Sequence, residues 1–109
     1  MDIQSHLPLA PRDLLILAVL AEGPLHGYGV IKAVEARSRS GVLLDPANLY
    51  RVLRRMSELG WIRPAARGDA RRRTYEVTPD GRGVLGAELA RLESLLADVR
   101  PALAGGGRR

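Results

Sequence analysis

Eight consecutive residues, Leu14–Ala21, carry no polar side chain. Pro11 suits the first turn of a helix, so Pro11–Ala21 is predicted to be helical and to stop at Gly23-Pro24. A helix that is apolar all round has to be covered all round. In a chain of 109 residues the other elements must therefore wrap it, and a second copy of the chain is the simplest cover for what is left. The run is far short of the ~20 residues that span a bilayer.

The remaining elements follow from spacing and caps. Residues 1–10 read as a flexible arm. A second helix is expected from His26-Gly27 to about Ser38, with a break at Ser38–Gly41. Val42-Leu43-Leu44 is expected to form a very short strand. Asp45-Pro46 opens the best-defined helix, because Asp caps well and Pro fits the first helical position. Its apolar stripe is Leu49, Val52, Leu53, Met56 and Leu59, and Gly60 ends it. Two strand signals, Trp61–Ala65 and Arg72–Thr78, then flank the turn-prone Arg67-Gly68-Asp69-Ala70. Arg73, Tyr75 and Val77 alternate with Arg72, Thr74 and Glu76, which places the two sets on opposite faces.

Thr78-Pro79 caps a last helix that is predicted to reach Arg100, where Pro101 ends it. Gly81, Gly83 and Gly86 each weaken it by about 1 kcal/mol relative to Ala. Leu85, Leu89, Leu92, Leu96 and Val99 are spaced 4-3-4-3, a short heptad seam expected to form a dimer interface. The tail after residue 100 is expected to be disordered.

Helix, helix, helix, hairpin, helix is the winged helix-turn-helix order with one helix added. The fold class is thus mainly α with a small β-hairpin. Residues 11–78 form the DNA-binding domain, 79–100 the dimerisation helix, and 101–109 the tail.

Charge points the same way. The formal charge is +5, and residues 51–73 hold eight arginines against only Glu58 and Asp69, while the rest of the chain is nearly neutral. A basic patch on a neutral chain is the electrostatic footprint of a polyanion partner. In this fold the second helix of the turn enters the major groove of double-stranded DNA. Asn48 and Arg51 lie early on its exposed face, where Asn pairs with adenine and Arg with guanine. Arg54 and Arg55 suit phosphate, the alternative being a surface pairing with Glu58. Tyr50 either touches DNA or packs. Arg67, Arg71, Arg72 and Arg73 make the hairpin a basic wing. His26 and Tyr28 start a helix, which favours a phosphate contact; capping and packing are their ordinary uses. Trp61 reads as core.

Other chemistries find little footing. With no cysteine and only two histidines, far apart, neither a disulfide framework nor a metal-ligand spacing can be assembled. No metal or other cofactor is expected. Asp45, Asp69 and Asp80 sit at turns or helix starts, and no Ser-His-Asp order, phosphate-cradling glycine loop or carboxylate pair is present, so no enzyme is expected. The start of the chain lacks the basic residues of a signal peptide, and a cytoplasmic protein is expected. The alternatives are a winged-helix adaptor for protein partners, which would not need the basic stretch, and an RNA-binding winged helix.

The residues also resemble a family. Leu25-His26-Gly27-Tyr28-Gly29-Val30, Asn48-Leu49-Tyr50 with Leu53-Arg54-Arg55, Gly60-Trp61-Ile62 and Arg72-Arg73-Thr74-Tyr75-Glu76-Val77-Thr78-Pro79-Asp80-Gly81 look like the PadR family of bacterial transcriptional regulators. The fragments cover about residues 12–81 in the family's order, and the C-terminal helix has the length of its small subgroup. The resemblance implies a homodimeric repressor on operator DNA, released in several relatives by a small-molecule effector. Where the family often has Gly-Thr-Leu-Tyr-Pro, this chain reads Ala47-Asn48-Leu49-Tyr50-Arg51, so Asn48 and Arg51 alter the sequence read. The aromatics that some drug-sensing relatives place between subunits have no counterpart on this C-terminal helix.

Overall fold

The computed structural model describes residues 2–65 and 73–105. Its elements are a 3-10 turn at Ile3–His6, α1 (Pro11–Ala21), β1 (Leu25–His26), α2 (Gly27–Arg37), α3 (Pro46–Glu58), β2 (Ile62–Pro64), β3 (Thr74–Val77) and α4 (Pro79–Gly105). The three strands form one antiparallel sheet in the order β1-β3-β2. Mainly helical with a small sheet, this is the expected winged-helix architecture.

Local chemistry sets each boundary. Pro11 and Pro46 occupy the first helical turns of α1 and α3. Asp45 Oδ1 accepts the Asn48 backbone N–H at 2.9 Å, capping α3. At the other end Gly60 takes φ +81°, a conformation that suits a residue without a Cβ. The Trp61 N–H then reaches the Met56 carbonyl at 2.9 Å and the Gly60 N–H reaches Ser57 at 3.0 Å, which is a Schellman ending. Thr78 Oγ1 accepts the Gly81 N–H at 3.0 Å and caps α4.

The core gathers Ile16, Leu17 and Leu20 of α1, Val30 and Val34 of α2, Leu49, Leu53 and Met56 of α3, together with Trp61, Ile62 and Val84. On β3, Tyr75 and Val77 point inward while Thr74 and Glu76 are only half-buried, as the alternation requires. Arg63 and Glu76 face each other in the β2–β3 register and pair at 2.8 Å.

Four expectations are corrected. Residues 2–10 do not form a loose arm. The His6 ring meets Trp61 edge-on at 5.2 Å, Leu9 is buried, and the Leu9 N–H donates to Glu88 at 3.0 Å. Val42–Leu44 forms no strand, because the Val42 N–H is taken by Ser38 Oγ at 3.0 Å; β1 pairs with β3 instead. The last helix does not end at Arg100 but runs through Pro101 to Gly105. Proline there removes one donor to the Ala97 carbonyl, and residues 93–104 are exposed, where a freed carbonyl can be solvated. The fourth correction concerns Leu85 of the heptad seam, which lies in the chain's own core at 9% exposure.

The first turns of α4 lie against the body, and the rest projects. The molecule measures 61 × 32 × 21 Å with a radius of gyration of 16.1 Å, against about 13 Å for a compact domain of this length. No helix among the described residues is long and apolar enough to cross a membrane.

Candidate nucleic-acid interface

The stripe that buries Leu49, Val52, Leu53 and Met56 turns Tyr50, Arg51, Arg54 and Arg55 outward along α3. Arg51 and Arg54 make no ion pair among the described residues, so their donors are available to an outside acceptor. Arg55 differs: its Nη1 donates to Asp13 Oδ2 at 3.2 Å. The alternative to a phosphate contact was a surface pairing with Glu58, one turn away. The actual partner sits on α1, where Asp13 is buried at 5% exposure and also accepts from Arg12 Nε at 3.2 Å.

Asn48 is half-buried and its side-chain amide donates to Asp45 Oδ2 at 2.6 Å. That bond uses one of its two N–H groups, leaving the second and the carbonyl for a base edge. Tyr50 is half-exposed, and its ring lies against the start of α2. A Cβ on Gly27 would come within 2.7 Å of the Tyr50 hydroxyl. Glycine at 27 therefore makes room for the tyrosine. Tyr50 thus packs and still presents a face.

A cleft of about 330 Å³ opens between α3 and the sheet, lined by Tyr50, Arg54, Ser57, Pro64, Arg73 and Tyr75. It brings together three of the residues singled out from sequence: Tyr50 and Arg54 from α3, and Arg73 from the residue before β3. Like Arg54, Arg73 makes no ion pair among the described residues. Two guanidinium groups and two phenols on one cleft suit an oxyanion. Ser57, Pro64 and Tyr75 complete its wall; they carried no site signal in the sequence because only the hairpin's return brings them together. Arg67, Arg71 and Arg72 of the wing lie outside the described residues.

His26 and Tyr28 stand at the start of α2, and His26 takes the capping role that is the ordinary use of that position. His26 Nδ1 accepts the Gly29 N–H at 3.2 Å, so the helix start that would receive a phosphate is capped by the imidazole. Tyr28 stacks on His26 with the rings 6.5 Å apart and 10° from parallel. It is exposed, with Lys32 Nζ 5.9 Å from its ring centre.

A second surface runs along α4. Leu89, Leu95, Leu96 and Val99 are about half-exposed and Leu103 is 83% exposed, while Leu92 is half-buried. Leu103 extends the 4-3-4-3 spacing by four more residues. It was missed because the helix was expected to stop before it.

The model of the transcriptional regulator PadR-like family matches residues 16–87. An uncharacterized 37.1 kDa protein in transposon TN4556 of Streptomyces fradiae is 40% identical over 76 residues, taking in 70% of this chain and 21% of that protein. The chain therefore spans about a fifth of that relative's length. A transcriptional regulator from Clostridium thermocellum superposes with a TM-score of 0.69 at 24% identity, covering 91% of each chain. A PadR family transcription regulator from Clostridium difficile superposes with a TM-score of 0.71 at 22% identity, covering 86% of this chain and 99% of that one. These two likenesses speak for the fold.

Proposed function

The chain belongs to the PadR-like family of transcriptional regulators, and on that premise we propose that it is a homodimeric repressor that lays α3 into the major groove of operator DNA. The carrying observation is the outward face of α3. Arg51 and Arg54 project there unpaired among the described residues, and Arg54 shares a cleft with Tyr50 and Arg73. A backbone phosphate seated in that cleft would be held from both sides, by the recognition helix and by the base of the wing. Asn48 and Arg51, nearer the start of α3, then meet base edges, since the N-terminal residues of such a helix reach furthest into the groove.

Dimerisation through α4 is supported by the apolar stripe from Leu89 to Leu103, in which Leu89, Leu96, Val99 and Leu103 are exposed. Two such helices packed together would set two copies of α3 against two half-sites. Release by a small-molecule effector belongs to the same reading on family grounds alone. A flat aromatic effector fits least, because α4 carries no aromatic side chain.

The test is binding of the purified protein to duplex DNA selected from a random pool, compared with a scrambled duplex and with structured RNA, across a salt series. Preference for the selected duplex, with affinity falling linearly in log salt, is expected. Equal or better binding to RNA would move the protein to the RNA-binding reading. No binding to either nucleic acid would favour the protein adaptor.

A further inference from the structure

We propose that Asp13, on the first turn of α1 and outside the DNA-facing helix, is a positioning residue for the nucleic-acid interface, acting by fixing the guanidinium of Arg55. This rests on the reading of α3 as the DNA-contacting helix.

Among the described residues Asp13, at 5% exposure, and Glu88 are the buried charged groups. An ionised carboxylate taken out of water is retained only where cations and hydrogen bonds satisfy it. Each of its oxygens has one arginine. Oδ1 accepts from Arg12, its neighbour in the chain, and Oδ2 accepts from Arg55, 42 residues on, both at 3.2 Å. The Arg12 contact is local to α1. The Arg55 contact crosses to α3.

The bond occupies one of Arg55's five N–H donors, and the side chain remains 57% exposed. Arg51 and Arg54 have no such anchor among the described residues. Of the three arginines on α3, Arg55 is therefore the one whose geometry is set before a ligand arrives. A long side chain ordered in advance loses less rotamer freedom when it meets a phosphate. The arrangement is a buried carboxylate, a fixed guanidinium, and donors left pointing to the outside.

The sign of the effect separates this from plain electrostatics. Removing a negative charge near a polyanion site should strengthen binding, if charge were all that mattered. If Asp13 works by holding Arg55, Asp13→Asn should instead weaken it. The experiment compares wild type, Asp13→Asn, Arg55→Ala and the double variant on a selected duplex across a salt series. Thermal melts of each are recorded alongside.

The expected result for Asp13→Asn is a loss of roughly two- to tenfold per site, the range set by immobilising one side chain, with a shallower salt slope. In the Arg55→Ala background the same change should add nothing. Arg55→Lys, which keeps the charge and loses the fork, is the variant to use if Asp13→Asn does not fold; it should also lose affinity. Tighter or unchanged binding by Asp13→Asn, or by Arg55→Lys in its place, overturns the proposal. So does a loss that is equally large without Arg55. If wild type itself fails to prefer duplex DNA, the functional reading falls first and this inference falls with it.

Discussion

The backbone N–H of Leu9 donates to Oε2 of Glu88 at 3.0 Å, joining residues 79 apart in the chain. Glu88 is buried at 1% exposure and also holds Arg91 through both oxygens, at 2.6 and 2.9 Å. One carboxylate thus fastens the N-terminal segment to α4. The Arg91 hydrogen bonds, aided by the Leu9 N–H, hold its pKa below the usual carboxylate value of 4.5, against the upward push of burial.

Glu88→Ala leaves the Leu9 N–H without its acceptor and should cost about 1–3 kcal/mol, the penalty for a buried donor left unmade. The pH dependence follows from the lowered pKa. A carboxyl whose folded pKa is depressed adds stability above its unfolded value, and that stability is lost as pH falls through the folded one. Urea melts of wild type should therefore weaken from about pH 4.5 downward. Glu88→Gln, which keeps an acceptor but cannot ionise, should flatten that decline. An unchanged acid profile in Glu88→Gln would remove this carboxylate from the account.

Gly81 separates two glycines that look alike in sequence. A Cβ at Gly81 would lie 2.1 Å from the Trp61 carbonyl oxygen, whereas at Gly86 it would meet nothing. The Trp61 carbonyl also accepts the Thr78 N–H at 2.9 Å, so it cannot retreat freely. Gly81→Ala should destabilise by about 3 kcal/mol, the upper end of ordinary overpacking. Gly86→Ala should stabilise by up to about 1 kcal/mol through helix propensity. Denaturant melts of the two variants should shift in opposite directions.

These cases show what spacing and caps reveal and what they do not. α1 and α3 were legible because a proline, a capping aspartate and a 3-4 stripe are local signals. The outward set Arg51 and Arg54 followed from the same stripe. β1 was not legible, since two residues have no period. Asp13 and Arg55, Leu9 and Glu88, and Gly81 and Trp61 meet only after folding, so no window of sequence contains them. Leu85 was misplaced for a related reason: heptad spacing names a face of α4, but not the point along it where the core ends and the free surface begins.

That free surface yields a test of assembly. Leu96 is about half-exposed within the stripe that continues to Leu103, whereas Leu85 is inside the chain's own core. Leu96→Asp should place an unpaired carboxylate in an interface between two copies, where it is strongly unfavourable. Light scattering should report a monomer while circular dichroism keeps its helical signal. Leu85→Asp should instead unfold the chain. A folded Leu96→Asp protein that stays dimeric would rule out this face of α4.

Base reading and phosphate clamping should separate on Arg51 and Arg73. Arg51 lies near the start of α3, and Arg73 lines the cleft opposite Arg54 at the base of the wing. If Arg51 meets a base edge, Arg51→Ala should lose roughly 1–3 kcal/mol on a selected site and relax preference at one position. If Arg73 neutralises a phosphate, Arg73→Ala should weaken all sequences alike and lower the salt slope by about 1. In a homodimer each change occurs twice, so both effects could double. Because Arg54 shares the cleft with Arg73, the Arg54→Ala, Arg73→Ala pair should lose less than the sum of its parts. Titrations on a selected and a scrambled duplex at several salt concentrations distinguish the roles. Equal losses on both duplexes would move Arg51 to the phosphate group, and a sequence-dependent loss for Arg73 would place its guanidinium on a base.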